Sequence, residues 1–339
     1  MKKLINPYRG FILLAFALAP LLSIAHDGDN VDKKKNISKT YNVGPDDRLS
    51  IENSFGNVSV ETWDKNVIQV DIEIGVRAST EEKAQQMLDQ ISVTDHQSGQ
   101  NIEFKTDIGR MGKGNNKGND NDNRRFYIDY KISMPAKNPL YIENNFGKTY
   151  IPDFAGQASL TSKFGELTTG KITNAKLIHV EFGKANIGSL TNADVIFKFN
   201  SKSSVAGISG NSKVDVQFCS QVNVLVDNAI KDLAVYESYS TVNLRVSPSL
   251  SAQFEVYTNF GKYQNKTNFN ISQENEDENS GPKFDKNYSG TAGSGSAKIK
   301  IKSSFGNVRM LNDSDKSVDK DDAKDDKDDK DDDRDKVNL

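Results

Sequence analysis

The chain has 339 residues, 35% of them hydrophobic, against roughly 45–50% in an ordinary globular protein, so any core must be thin and regular. Its net charge of −3 is unevenly spread: residues 311–339 hold thirteen Asp against seven Lys plus Arg, and the near-neutral body lacks the basic footprint of a nucleic-acid binder. The single cysteine, Cys219, excludes an internal disulfide and reads as a small buried apolar side chain.

Residues 1–25 read as an export signal. Lys2, Lys3 and Arg9 precede an apolar run from Phe11 to Leu22, and Ser23-Ile24-Ala25 offers small residues for cleavage after Ala25. The run is too short for a permanent span, so the expected product is a soluble chain in the periplasm or at the cell surface. No cysteine stands at the cleavage point to carry a lipid. Residues 26–40 look like a linker.

From residue 41 to residue 311 a six-residue unit recurs nine times: Ile51–Gly56, Ile142–Gly147, Leu160–Gly165, Ile178–Gly183, Val195–Asn200, Val214–Cys219, Val235–Ser240, Val256–Gly261 and Ile301–Gly306. Its first position is Ile, Leu or Val, its fifth Phe or Tyr. That even spacing predicts a strand with both side chains on one face, sharing one core. Glycine in six of the nine sixth positions predicts a bend or a positive φ there. From Phe146 to Phe260 the aromatics recur every 17 to 21 residues, a period that suits an all-β parallel solenoid, or β-helix-like stack, whose turns bury a common core. An antiparallel β-sandwich with hairpins of similar length is the alternative.

Two insertions interrupt the repeat, at about 61–139 and 268–297. The first contains strand-like Val67–Val76, Asn101–Ile108 and Arg125–Met134. It also holds one short helix with a capping box from Ser79 to Glu82 and an apolar face of Ala84, Met87, Leu88 and Ile91. The helix is expected to cover an open end or edge. Gly109–Asn123 reads as a mobile loop, the second insertion as a disordered excursion, and residues 312–339 as a disordered, solvated Asp/Lys-rich tail.

No catalytic constellation emerges. His26, His96 and His179 have no partner at metal-ligand spacing. Gly147-Lys148-Thr149 lacks the leading glycine of a phosphate loop, Ser294 lies outside any nucleophile elbow, and Asp120–Asn123 lacks the rest of a calcium loop. Glu52, Glu143 and Asp215 recur at one place in the unit, and Lys163, Glu181 and Lys198 at another. A carbohydrate-active β-helix enzyme would need such carboxylates about 5–10 Å apart. Trp63, Tyr236 and Tyr257 are expected to pack in the core or along strands. No catalytic, cofactor or metal site is assigned.

The segments IENSFGNVSV (Ile51–Val60), IENNFG (Ile142–Gly147) and IKSSFGNV (Ile301–Val308), behind a signal peptide, resemble a family of exported Bacteroidetes-type proteins labelled putative adhesins. The resemblance spans residues 41–311 and brings no site residues. It implies a non-catalytic envelope protein that binds an envelope protein or a glycan. A periplasmic sensing or scaffolding partner of a membrane protein is a further alternative.

Overall fold

The computed structural model describes residues 30–109, 125–274 and 284–315. The expected signal segment, most of the expected Gly109–Asn123 loop with its Asp120–Asn123 run, and nearly all of the expected tail lie outside the described residues. The described residues are all-β with a single short helix, Glu81–Gln90, and their strands join into one large mixed sheet.

The nine units pair with one another in parallel and in one register. Ile51 stands opposite Ile142, and Leu160, Ile178, Val195, Val214 and Val235 follow, each beside the last. Every one of these first positions is buried. The third positions point the same way, as strand alternation requires: Val180, Phe197 and Val216 fill the middle of the column, while Asn53, Asn144, Ser162, Glu237, Thr258 and Ser303 put buried polar groups toward its ends. After the units come second strands, such as Lys148–Ile151 and Glu166–Thr169, that pair in parallel with their counterparts. These ladders exclude the antiparallel pairing of successive units.

Spatial order departs from chain order at the far end. Strand Ala297–Ser304 lies between Gln221–Ser238 and Ala252–Asn259, so the unit at Ile301 sits inside the unit at Val256. The outer edge of Ala252–Asn259 is covered by antiparallel strand Asp285–Ala292, which also pairs with Ile271–Gln273. Thus the second insertion is not simply a disordered excursion. Its ordered parts cover an edge, anchored by Phe254 against Phe269 and Tyr263 against Tyr288.

At the near end, Val67–Ala78 pairs antiparallel with Arg125–Pro135. Val31–Asn42 pairs along the whole length of Val67–Ala78, so most of the expected 26–40 linker is a strand, its alternating Val31, Ile37 and Tyr41 packed against the core. The helix buries Ala84, Met87 and Leu88 as expected and packs on these two strands. Its cap is Thr80 rather than Ser79: Thr80 Oγ1 accepts the backbone N–H of Lys83 at 3.2 Å, and Ser79 Oγ instead accepts from the Lys83 ammonium.

The fifth-position aromatics do not enter the core. Phe55, Phe146, Phe164, Phe182, Phe199, Phe218, Tyr239, Phe260 and Phe305 all have positive φ, between 49° and 64°. This left-handed step swings the fifth side chain out of the strand's alternation, so it leaves the face shared by positions one and three. Sixth-position glycine serves a different need from the expected positive φ. A Cβ on Gly147 would lie 1.8 Å from the Gly56 carbonyl oxygen, and one on Gly165 1.9 Å from that of Gly147, so at these two bends neighbouring units approach too closely for a side chain.

Candidate functional site: an external aromatic ladder

Turned outward at equivalent bends, the aromatics form a continuous ladder. From Phe55 the order runs through Phe146, Phe164, Phe182, Phe199, Phe218, Tyr239, Phe305 and Phe260, with centroids 4.7–5.1 Å apart and ring planes within 7° of parallel. Phe284 stacks on Phe260 at 4.3 Å, and Phe126 tilts against Phe55 at the other end. The spacing is that of neighbouring strands, so parallel pairing in register delivers the stack directly. From Phe146 to Phe260 the rings remain 44–52% exposed.

The backbone beneath the ladder is tied across turns. Each ring residue's N–H donates to a carbonyl of the adjacent strand, as Phe146 does to Lys163 and Phe164 to Glu181. Where the sixth position is not glycine, its side chain turns inward and satisfies the amide one turn back. Asn200 Oδ1 accepts from Gly183 N at 3.0 Å, Cys219 Sγ from Asn200 N at 3.5 Å and Ser240 Oγ from Cys219 N at 2.9 Å. The series ends on Glu237, whose carboxylate accepts from Ser240 N and from the Ser303 hydroxyl and is pushed above the usual carboxylate range by burial. Cys219 is free and buried, and burial raises its thiol pKa.

Two rows of polar side chains border the ladder. The row before the rings reads Ser54, Asn145, Lys163, Glu181, Lys198, Gln217 and Ser238, then Ser304 and Asn259. The row after them includes Lys148, Glu166, Lys184, Lys202 and Gln221, and later Asn307 and Lys262. Between the rings and the second row runs a shallow groove lined by Phe164, Gly165, Glu166, Phe182, Lys184 and Phe199.

No family model matches the chain, and no curated protein matches it in sequence. Solved structures do. A putative cell adhesion protein from Clostridium sporogenes aligns over 83% of this chain and 100% of its own, at 13% identity and a TM-score of 0.19. A putative adhesin from Bacteroides fragilis aligns over 82% and 97%, at 9% identity and 0.27. A putative lipid binding protein from Parabacteroides distasonis aligns over 81% and 96%, at 8% identity and 0.26. The first two bear the adhesin name that the repeat motif resembles.

The residues considered for chemistry are scattered over the sheet face. Glu52 and Glu143 are neighbours, but each has its own lysine, Lys105 at 2.8 Å and Lys163 at 3.4 Å. Asp215 lies further along the row, beyond Thr161, His179 and Ile196. His179 is partly buried 3.7 Å from Glu181, and burial lowers its pKa. Lys148 and Thr149 belong to the repeat, and Ser294 hydrogen-bonds Ser251. Among the described residues no group of three or more His, Cys, Asp or Glu could hold a metal ion. Contrary to expectation, Tyr236 and Tyr257 are exposed, on either side of Lys302. Trp63 donates to the Val67 carbonyl at 2.7 Å.

The ladder is the feature that alternation alone concealed. One signal could have exposed it. Core position three varies in size and polarity from unit to unit, as packing allows, whereas the fifth is aromatic in every unit.

Proposed function

We propose that this chain is an exported, non-catalytic interaction module of the cell envelope, wound as a parallel β-solenoid, with the aromatic ladder as its contact surface. One observation carries the reading. A non-glycine residue in the left-handed conformation costs about 1–2 kcal/mol, and a stacked aromatic pair returns about 0.5–1.5 kcal/mol, so the two nearly cancel. Glycine or asparagine would occupy each bend at little cost. Yet an aromatic stands there in every unit, and in eight of the nine it is left half in water. Eight rings at that exposure present on the order of 800 Å² of apolar surface, beyond the usual largest patch of a monomer.

Export and the adhesin-type role are supported by the leader-like residues 1–25 and by the motif resemblance. The test joins location to contact. Protease treatment of intact cells should remove the protein while a periplasmic control survives. Cells producing a Phe164→Asn, Phe182→Asn, Phe199→Asn variant should lose attachment at unchanged surface abundance. Protection from protease until the outer membrane is opened would point to a periplasmic scaffold instead, and unchanged attachment would remove the ladder as the contact surface.

A further inference from the structure

Resting on the ladder as contact surface, we infer that its partner is an anionic lipid surface, onto which the ring edges dock between flanking lysines. Three observations converge on that chemistry. First, the ring faces are taken: each inner ring has a neighbour within 5.1 Å on both sides, so a sugar or a cation, which would lie on a face, meets only edges. Edges suit apolar contact with acyl chains. Second, the rings sit at the bends between consecutive strands, as Phe146 does between Leu140–Asn145 and Lys148–Ile151. The ladder is therefore a projecting ridge, which a deformable phase can envelop.

Third, the charge on both flanks favours an anionic surface. The row before the rings contributes Lys163 and Lys198, and the row after contributes Lys148, Lys184, Lys202 and Lys262; against these six stand Glu181, Glu166, which lies 3.9 Å from Lys148, and Glu143, which lies 3.4 Å from Lys163. The body of the chain is near neutral, so this surplus is local to the ridge. An apolar strip bordered by lysines is the arrangement of interfacial membrane binders, in which apolar groups enter the acyl boundary and each nearby lysine adds electrostatic attraction to anionic headgroups.

Flotation of the purified exported protein with vesicles of phosphatidylcholine, alone or with phosphatidylglycerol, tests this. We expect binding to the phosphatidylglycerol vesicles, weakened as salt rises. It should fall at least tenfold in the Phe164→Asn, Phe182→Asn, Phe199→Asn variant, since asparagine tolerates the left-handed conformation. If that variant does not fold, Lys184→Gln with Lys198→Gln, which leaves the ladder whole, should weaken binding several-fold. Absence of binding to either vesicle, or binding untouched by both sets of substitutions, overturns the inference. Should vesicle binding be absent while the asparagine variant still loses cell attachment, the ladder remains the contact surface and its partner is not lipid.

Discussion

At Phe182, two opposing terms meet in one residue. Its backbone lies at φ 53° and its ring is sandwiched between Phe164 and Phe199. Phe182→Asn should cost only about 1 kcal/mol in urea unfolding, because lost stacking is set against relieved backbone strain. Phe182→Val should cost more, since a β-branched residue resists positive φ as strongly and stacks with nothing. At Gly165 the sign is less balanced. A methyl group there meets the Gly147 carbonyl oxygen, so Gly165→Ala should lower stability by about 1–3 kcal/mol, read as a drop in Tm. Glu237 gives a pH dependence. Burial raises its carboxyl pKa in the folded state, so its stabilising contribution is complete below the unfolded pKa, near 4.3, and is lost as pH rises through the folded value. The difference in unfolding free energy between the native chain and Glu237→Gln, which isolates this carboxyl from the others, should therefore shift against the native chain as pH rises across that range.

Among the elements, the parallel ladders were the legible part of the fold. The column from Ile51 to Ile301 could be read from the repeat because parallel strands in register put like residues side by side, and every aliphatic first position is buried in one line. The ladder was not legible as a surface. Even spacing predicts one face only while the backbone stays extended, and the left-handed step at each fifth residue breaks that assumption. Val31–Asn42 was missed for another reason: with Lys33, Lys34, Lys35 and Lys39 it reads as a charged linker, but its partner Val67–Ala78 supplies the apolar side of the pair. The covering strand Asp285–Ala292 was hidden in Ser- and Gly-rich sequence. Removing residues 268–296 and closing the gap with a short linker should uncover Ala252–Asn259. Exposed strand edges pair with other chains, so concentration-dependent association should follow, seen as earlier elution in size-exclusion chromatography.

For the molecule as a whole, stacked units that contact only their neighbours need not unfold in one step. The pairings that cross the stack are short-range in space, yet the covers at its two ends differ. One is the layer of Val31–Asn42, Val67–Ala78 and the helix; the other is the lone Asp285–Ala292 strand with its partner Ile271–Gln273. Amide exchange should therefore be fastest at the Asp285–Ala292 end and slowest in the strands around Val195 and Val214. Uniform protection throughout would show instead that the array opens as a single unit.

The seating of Ala297–Ser304 between two strands made earlier also sets an order of assembly. A chain emerging N-terminus first can lay each unit on the previous one as it appears, up to Gln221–Ser238. Strand Ala252–Asn259 then has no parallel partner waiting for it, because its one parallel neighbour among the described residues is Ala297–Ser304, which follows it in the chain. The growing molecule must hold one place open and fill it last, so the final repeat acts as a keystone: a nascent chain stopped before it would leave an unpaired edge at the end of an otherwise finished stack.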